Sequence, residues 1–157
     1  MEHVYPREPE TDIREVYLRV LEESRIVYFP WDIDRTFWEI LNTDHGKLIR
    51  NAVQWTLKEE QPVTVDGQGI LDITIWQQQQ SLTVHFTNPM MMKGPFRELI
   101  PLHDQEVRIQ IPPGKKVVKA QLLVSGLTLE YEVSDGKVKL VVPKNLDHEV
   151  IALDLVG

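Results

Sequence analysis

The chain has 157 residues, 42% of them apolar, and a formal net charge of −7 from seventeen basic and twenty-four acidic side chains. This composition suits a soluble globular chain of one domain or two small ones, and the acidic balance argues against a sequence-independent nucleic-acid partner or an acidic membrane surface. No cysteine occurs, which excludes disulfides, thiolate metal sites and a cysteine nucleophile.

Residues 1–12 carry Pro6, Pro9 and several charges without periodicity, and read as an extended lead-in. From Ile13 to Leu21 two patterns compete. Ile13, Val16, Tyr17, Val20 and Leu21 fit a helical stripe, while Val16, Leu18 and Val20 alternate as in a strand. The apolar run Ile26–Phe29 has strand length and needs a partner, so a hairpin with Glu22, Glu23 and Ser24 in its turn is preferred. Pro30 stops that strand, and a loop rich in Trp and Asp is expected next. A helix should run from about Asp44 to Lys58, with Leu48, Ile49, Ala52, Val53, Trp55 and Thr56 on its inner stripe.

Beyond Gln61 the period changes to two. Val63 and Val65 open a short strand, and Leu71, Ile73 and Ile75 alternate with Asp72, Thr74 and Trp76. After Gln77–Gln80, Leu82, Val84 and Phe86 alternate with Thr83, His85 and Thr87, completing a hairpin. Further strands are expected at Val107–Ile111, Val117–Val124, Leu127–Val133, Lys137–Val142 and Glu149–Leu155. Pro112-Pro113-Gly114, Ser125-Gly126, Asp135-Gly136 and Pro143-Lys144-Asn145 punctuate them with turn chemistry. About eight short strands at this spacing indicate an antiparallel β-sandwich. The fold class is therefore mainly β: a sandwich over 61–157 preceded by a partial α/β segment of hairpin, strand and helix over 1–60.

Asp32, Asp34, Asp44 and His45 are the densest acid–imidazole group, just past the end of the Ile26 strand, where ligands bind in open α/β sheets. A metal or substrate site there competes with a plainer assignment, in which Asp32 or Asp34 pairs with Arg35 and Asp44 caps the following helix. Trp31, Phe37 and Trp38 offer rings that stack on a sugar or pack in an interface. The five histidines show no metal-type spacing, and no nucleophile elbow or phosphate-binding glycine loop is present. Met90, Met91 and Met92, bracketed by Pro89 and Pro95, suit an adaptable packing surface against another domain or subunit. No apolar stretch is long enough for a membrane span, and MEHVYPREPE lacks the layout of a signal peptide, so the expected location is cytoplasmic.

The phrases YFPWDIDRTFWE and DHGKLIRNAVQWTL resemble the end of the glutamine-amidotransferase-like β-galactosidase trimerisation domain of bacterial glycoside-hydrolase-type proteins. VDGQGILDITIWQQQQSLTVHFTNPMMMKGPFRELIP and the closing KVKLVVPKNLDHEVIALDL are similar to the β-sandwich that ends those chains. The resemblance implies a C-terminal piece of such a protein, lacking its catalytic (β/α)8 barrel, which alone needs more than about 200 residues. Where true amidotransferases carry His-Pro-Glu, this chain reads Phe29-Pro30-Trp31-Asp32, and without a thiol glutaminase chemistry is excluded. The expectation is a chain with no catalytic set and no cofactor of its own. Its expected partners are further copies of itself or a separate barrel domain. Trp31, Asp32, Asp34, Arg35, Trp38, His45 and Met90–Met92 are the candidate ligand or interface residues, and carbohydrate is the candidate ligand.

Overall fold

The computed structural model describes residues 12, 14–89 and 99–157. Two compact units divide the chain, Met1–Gln61 and Pro62–Gly157.

In the first unit, β1 (Tyr17–Leu21) and β2 (Ser24–Tyr28) form an antiparallel hairpin in which Leu21 faces Ser24. The hairpin reading of Val16–Val20 therefore holds, with the turn reduced to Glu22 and Glu23. Glu22 takes positive φ, 52°, a conformation that costs a non-glycine residue roughly 1–2 kcal/mol. The segment after Pro30 is not the expected loop: Ile33–Ile40 form helix α1. Ile33, Phe37 and Ile40 fall at the three- and four-residue steps of a helical face, a pattern too short to stand out among the tryptophans and aspartates. Helix α2 (Thr43–Leu57) follows, and its N-cap is Asn42 rather than Asp44. The Asn42 side chain accepts from the Asp44 N–H at 2.8 Å, leaving the Asp44 carboxylate to meet Lys47 at 3.2 Å. Gly46 permits the close approach of the two helices, because a Cβ there would lie 2.9 Å from the Phe37 ring.

The hairpin and α2 are held by contacts along one side. Arg25 donates to the Trp55 carbonyl at 2.9 Å and its guanidinium lies 5.4 Å from the Trp55 ring centre. Between them runs an apolar groove of about 380 Å³ lined by Val16, Leu18, Val27, Phe29, Leu48 and Trp55, among others. The expected inner stripe of α2 is half-buried except at Val53, which is exposed, and no residue of the helix is fully buried.

The second unit holds two four-stranded antiparallel sheets. β4 (Asp72–Gln77), β5 (Ser81–Thr87), β10 (His148–Val156) and β7 (Lys116–Leu122) lie in the order β4-β5-β10-β7. β3 (Val63–Asp66), β6 (Leu102–Gln110), β9 (Lys137–Asn145) and β8 (Tyr131–Ser134) lie in the order β3-β6-β9-β8. Inward-facing Leu82, Val84 and Phe86 join Ile151, Leu153 and Leu155 from one sheet with Val107, Ile109, Val138, Leu140 and Val142 from the other in a single apolar cluster. That shared layer makes the unit a sandwich. The expected strand Leu127–Val133 shrinks to β8, and Thr128 keeps only a bridge to Gln121.

Turn chemistry fixes the register. Asp135 and Gly136 both have positive φ, 51° and 72°, the requirement of the two-residue turn joining β8 to β9. Gly114, at 76°, sits third in a turn closed by Lys115 N–H to the Pro112 carbonyl at 3.1 Å, the place where glycine is needed. Glu149, 3% exposed, accepts N–H bonds from Val124, Ser125 and Val150 and so ties the loop after β7 to the central strand β10.

Phe86→Ala removes a ring that is 1% exposed at the centre of the sandwich. It should cost about 3–5 kcal/mol in urea unfolding; a loss under about 1 kcal/mol would show that the shared layer is not the unit's core.

Candidate functional site

Trp31, Asp32, Asp34, Arg35, Trp38 and His45, singled out in the sequence, lie between the end of β2 and the first turn of α2. Trp31 donates from its indole to the Glu15 carbonyl at 3.0 Å, and its ring meets the His45 imidazole edge-on at 5.5 Å. His45 Nδ1 is buried among these groups without a hydrogen-bond partner. Trp31 therefore fastens the chain after the hairpin to the first turn of α2.

Asp32 and Asp34 flank the start of α1. The Asp32 pKa is raised, first by side-chain hydrogen bonding with Asp34 and then by desolvation. Asp34 is lowered, first by the Arg35 backbone N–H and then by the bond to Asp32. Arg35 reaches Asp32 at 3.8 Å and Glu39 at 2.9 Å, and the Glu39 carboxylate raises its pKa. All of these side chains are solvent-exposed. Trp38 is also exposed, on α1. Phe37 instead packs on Gly46, so the three rings near Asp34 have separate surroundings.

Chemically, the acid pair offers two exposed carboxyls whose ionisations influence each other, beside an arginine. Among the described residues there is no group of three or more histidine and carboxylate side chains arranged to hold a metal ion. Met90, Met91 and Met92 lie outside the described residues.

The second unit brings together two histidines that the sequence spacing concealed. His85 on β5 and His148 on β10 face each other, Nδ1 to Nε2 at 3.4 Å. They lie on the outward phase of the β4-β5-β10-β7 sheet. Trp76, 61% exposed, shares that face with Thr74 and Thr83, its register partner being Thr83. The outward phase of His85 was legible from Val84 and Phe86 on either side; its partner, 63 positions away, could be found only from the β5-to-β10 pairing.

No protein-family model matches the sequence, and no curated protein matches it. Among solved structures, α-L-fucosidase isoenzyme 2 from Paenibacillus thiaminolyticus superposes with a TM-score of 0.66 at 18% identity, over 83% of this chain and 21% of the fucosidase chain. The chain shares its fold with a segment of a glycoside hydrolase. Residues 62–157 make up less than two thirds of the chain, so the matched share includes residues of both units. This chain spans about a fifth of the length of that enzyme.

The opposite shifts of the two aspartates make opposite pH contributions. The raised Asp32 favours the folded state at low pH and loses that effect as pH climbs through its folded pKa. The lowered Asp34 favours it at higher pH and loses that effect as pH falls through its own. Asp34→Ala should move the Asp32 carboxyl titration to lower pH, read from carboxyl carbon NMR shifts. An unmoved curve would show that the two carboxyls do not interact.

Proposed function

We propose that this chain is a non-catalytic accessory and assembly region of a glycoside-hydrolase-type protein, acting through packing and subunit contact. The observation that carries it is the likeness to the fucosidase, which takes in 83% of this chain but only 21% of the enzyme. The sequence resemblance to the end of a β-galactosidase trimerisation domain and the sandwich that follows it points the same way. On that reading, catalysis on a glycoside belongs to a barrel domain or chain that this region accompanies.

The first unit supports an assembly role on physical grounds. Among the described residues, Ile33 is the one fully buried apolar residue before Pro62. Leu18, Val20 and Tyr28 are about 60% exposed, and no described residue pairs with the outer edges of β1 or β2. A two-stranded hairpin is marginal alone in water, and an open apolar edge recruits another strand. We infer a homo-oligomer built on that hairpin.

Light scattering or sedimentation across the micromolar range should show self-association. Val20→Lys, at an exposed position, should weaken it by about tenfold or more. A clean monomer throughout would overturn the homo-oligomer.

A second reading rests on Trp76. An exposed indole on a sheet face beside Thr74 and Thr83 has the make-up of a sugar-stacking platform, which would make the sandwich a carbohydrate-binding module. Calorimetric titration with galactosides and fucosides separates the two: saturable binding lost in Trp76→Ala supports the module, and no heat of binding rejects it.

A further inference from the structure

We propose that His85 and His148 form a two-imidazole site for a borderline divalent cation, with zinc as the ion it is suited to hold. This goes beyond the assembly role and rests on separate residues. The ring centres are 5.6 Å apart and the rings inclined by only 26°, while the facing nitrogens are 3.4 Å apart. The difference is close to one ring diameter, so both nitrogens lie near the line joining the centres. The imidazoles meet edge to edge, nitrogen to nitrogen, rather than face over face.

In that arrangement one nitrogen must carry a proton and the other a lone pair, and removing the shared proton leaves two lone pairs directed into one small space. Zinc binds imidazole nitrogen at about 2.0–2.1 Å, and a tetrahedral angle then separates two ligand nitrogens by about 3.3–3.4 Å. The observed spacing already matches, and each ring must swing by roughly 35° to turn its lone pair from the facing nitrogen onto a shared ion. Neutral nitrogen donors without thiolate select zinc, copper or nickel rather than magnesium or calcium.

The backbone holds the pair in place. β5 and β10 are in register from His148 opposite Thr87 to Asp154 opposite Ser81, with His85 opposite Val150, and the inward-facing Val84, Phe86 and Ile151 are buried at 1% exposure or less. Both imidazoles thus project from strands whose inner faces are sealed in the core, and His148 is solvent-exposed. Thr87 links His148 to Asp72 across the sheet, but no third ligand joins the pair among the described residues. Four-coordinate zinc would keep two positions for water or an oxygen ligand from outside, one more than in catalytic zinc sites, which hold three protein ligands.

The test is calorimetric titration of Zn2+ alone into the full chain in a His3→Ala background, where His45 and His103 are the other histidines. The expected result is one ion per chain and binding that tightens from acidic to neutral pH, because the proton and the metal compete. His85→Gln and His148→Gln should each weaken it by about tenfold or more, since either change reduces the chelate to a single imidazole. Thermal unfolding gives a second readout: zinc should raise the midpoint of the parent and not of either variant, and the metal-free midpoints show that the variants fold. Absence of zinc binding below millimolar concentration, or equal affinity in parent and both variants, would overturn the proposal.

Discussion

The second unit hangs on one sealed apolar layer between two four-stranded sheets. Phe86, Val84, Ile151 and Leu153 from one side and Val107, Ile109 and Val138 from the other are all at 1% exposure or less. Fully burying such a side chain contributes about 1.5–3 kcal/mol, and these seven lie together in one layer. Buried polar groups are arranged around that layer. Glu149 anchors the loop after β7, and Asn88 donates to the Ile100 and Leu146 carbonyls at 2.9 Å, tying the end of β5 to the turn before β10.

The first unit has no such layer. Its hairpin and α2 meet along a half-open groove, and among its described residues Glu22, Leu41 and Lys58 take positive φ and close its turn and helix ends. Each of these conformations disfavours the isolated unit by roughly a kilocalorie. A segment with exposed apolar strands and strained ends is stabilised by what it packs against. This asymmetry motivates the proposed assembly role, in which the second unit would be the folded anchor and the first the part that takes a partner.

Much of the architecture was legible in the sequence because strand alternation and turn residues are local signals. Asp135-Gly136 and Pro113-Gly114 act within four residues, and the Leu82–Phe86 alternation fixes which face is buried. What failed was also local but short. Eight residues of α1 carry barely two turns of pattern, and Asp44 yielded its expected capping place to Asn42, two positions earlier. The Trp31–His45 contact rewards the attention given to those residues, yet it fastens elements together. The acid pair Asp32–Asp34 is exposed and balanced by Arg35. The His85–His148 pair was invisible because it depends on the pairing of strands far apart in the chain, which no spacing rule reports.

The central claim is that the sandwich is sufficient in itself while the hairpin gains its stability from association. Amide hydrogen exchange measured over a range of protein concentrations tests it directly. Protection of β5, β9 and β10 should be high and independent of concentration, and that of β1 and β2 should be low when dilute and rise as the chains associate. Protection of the hairpin equal to that of β10 at every concentration would contradict it.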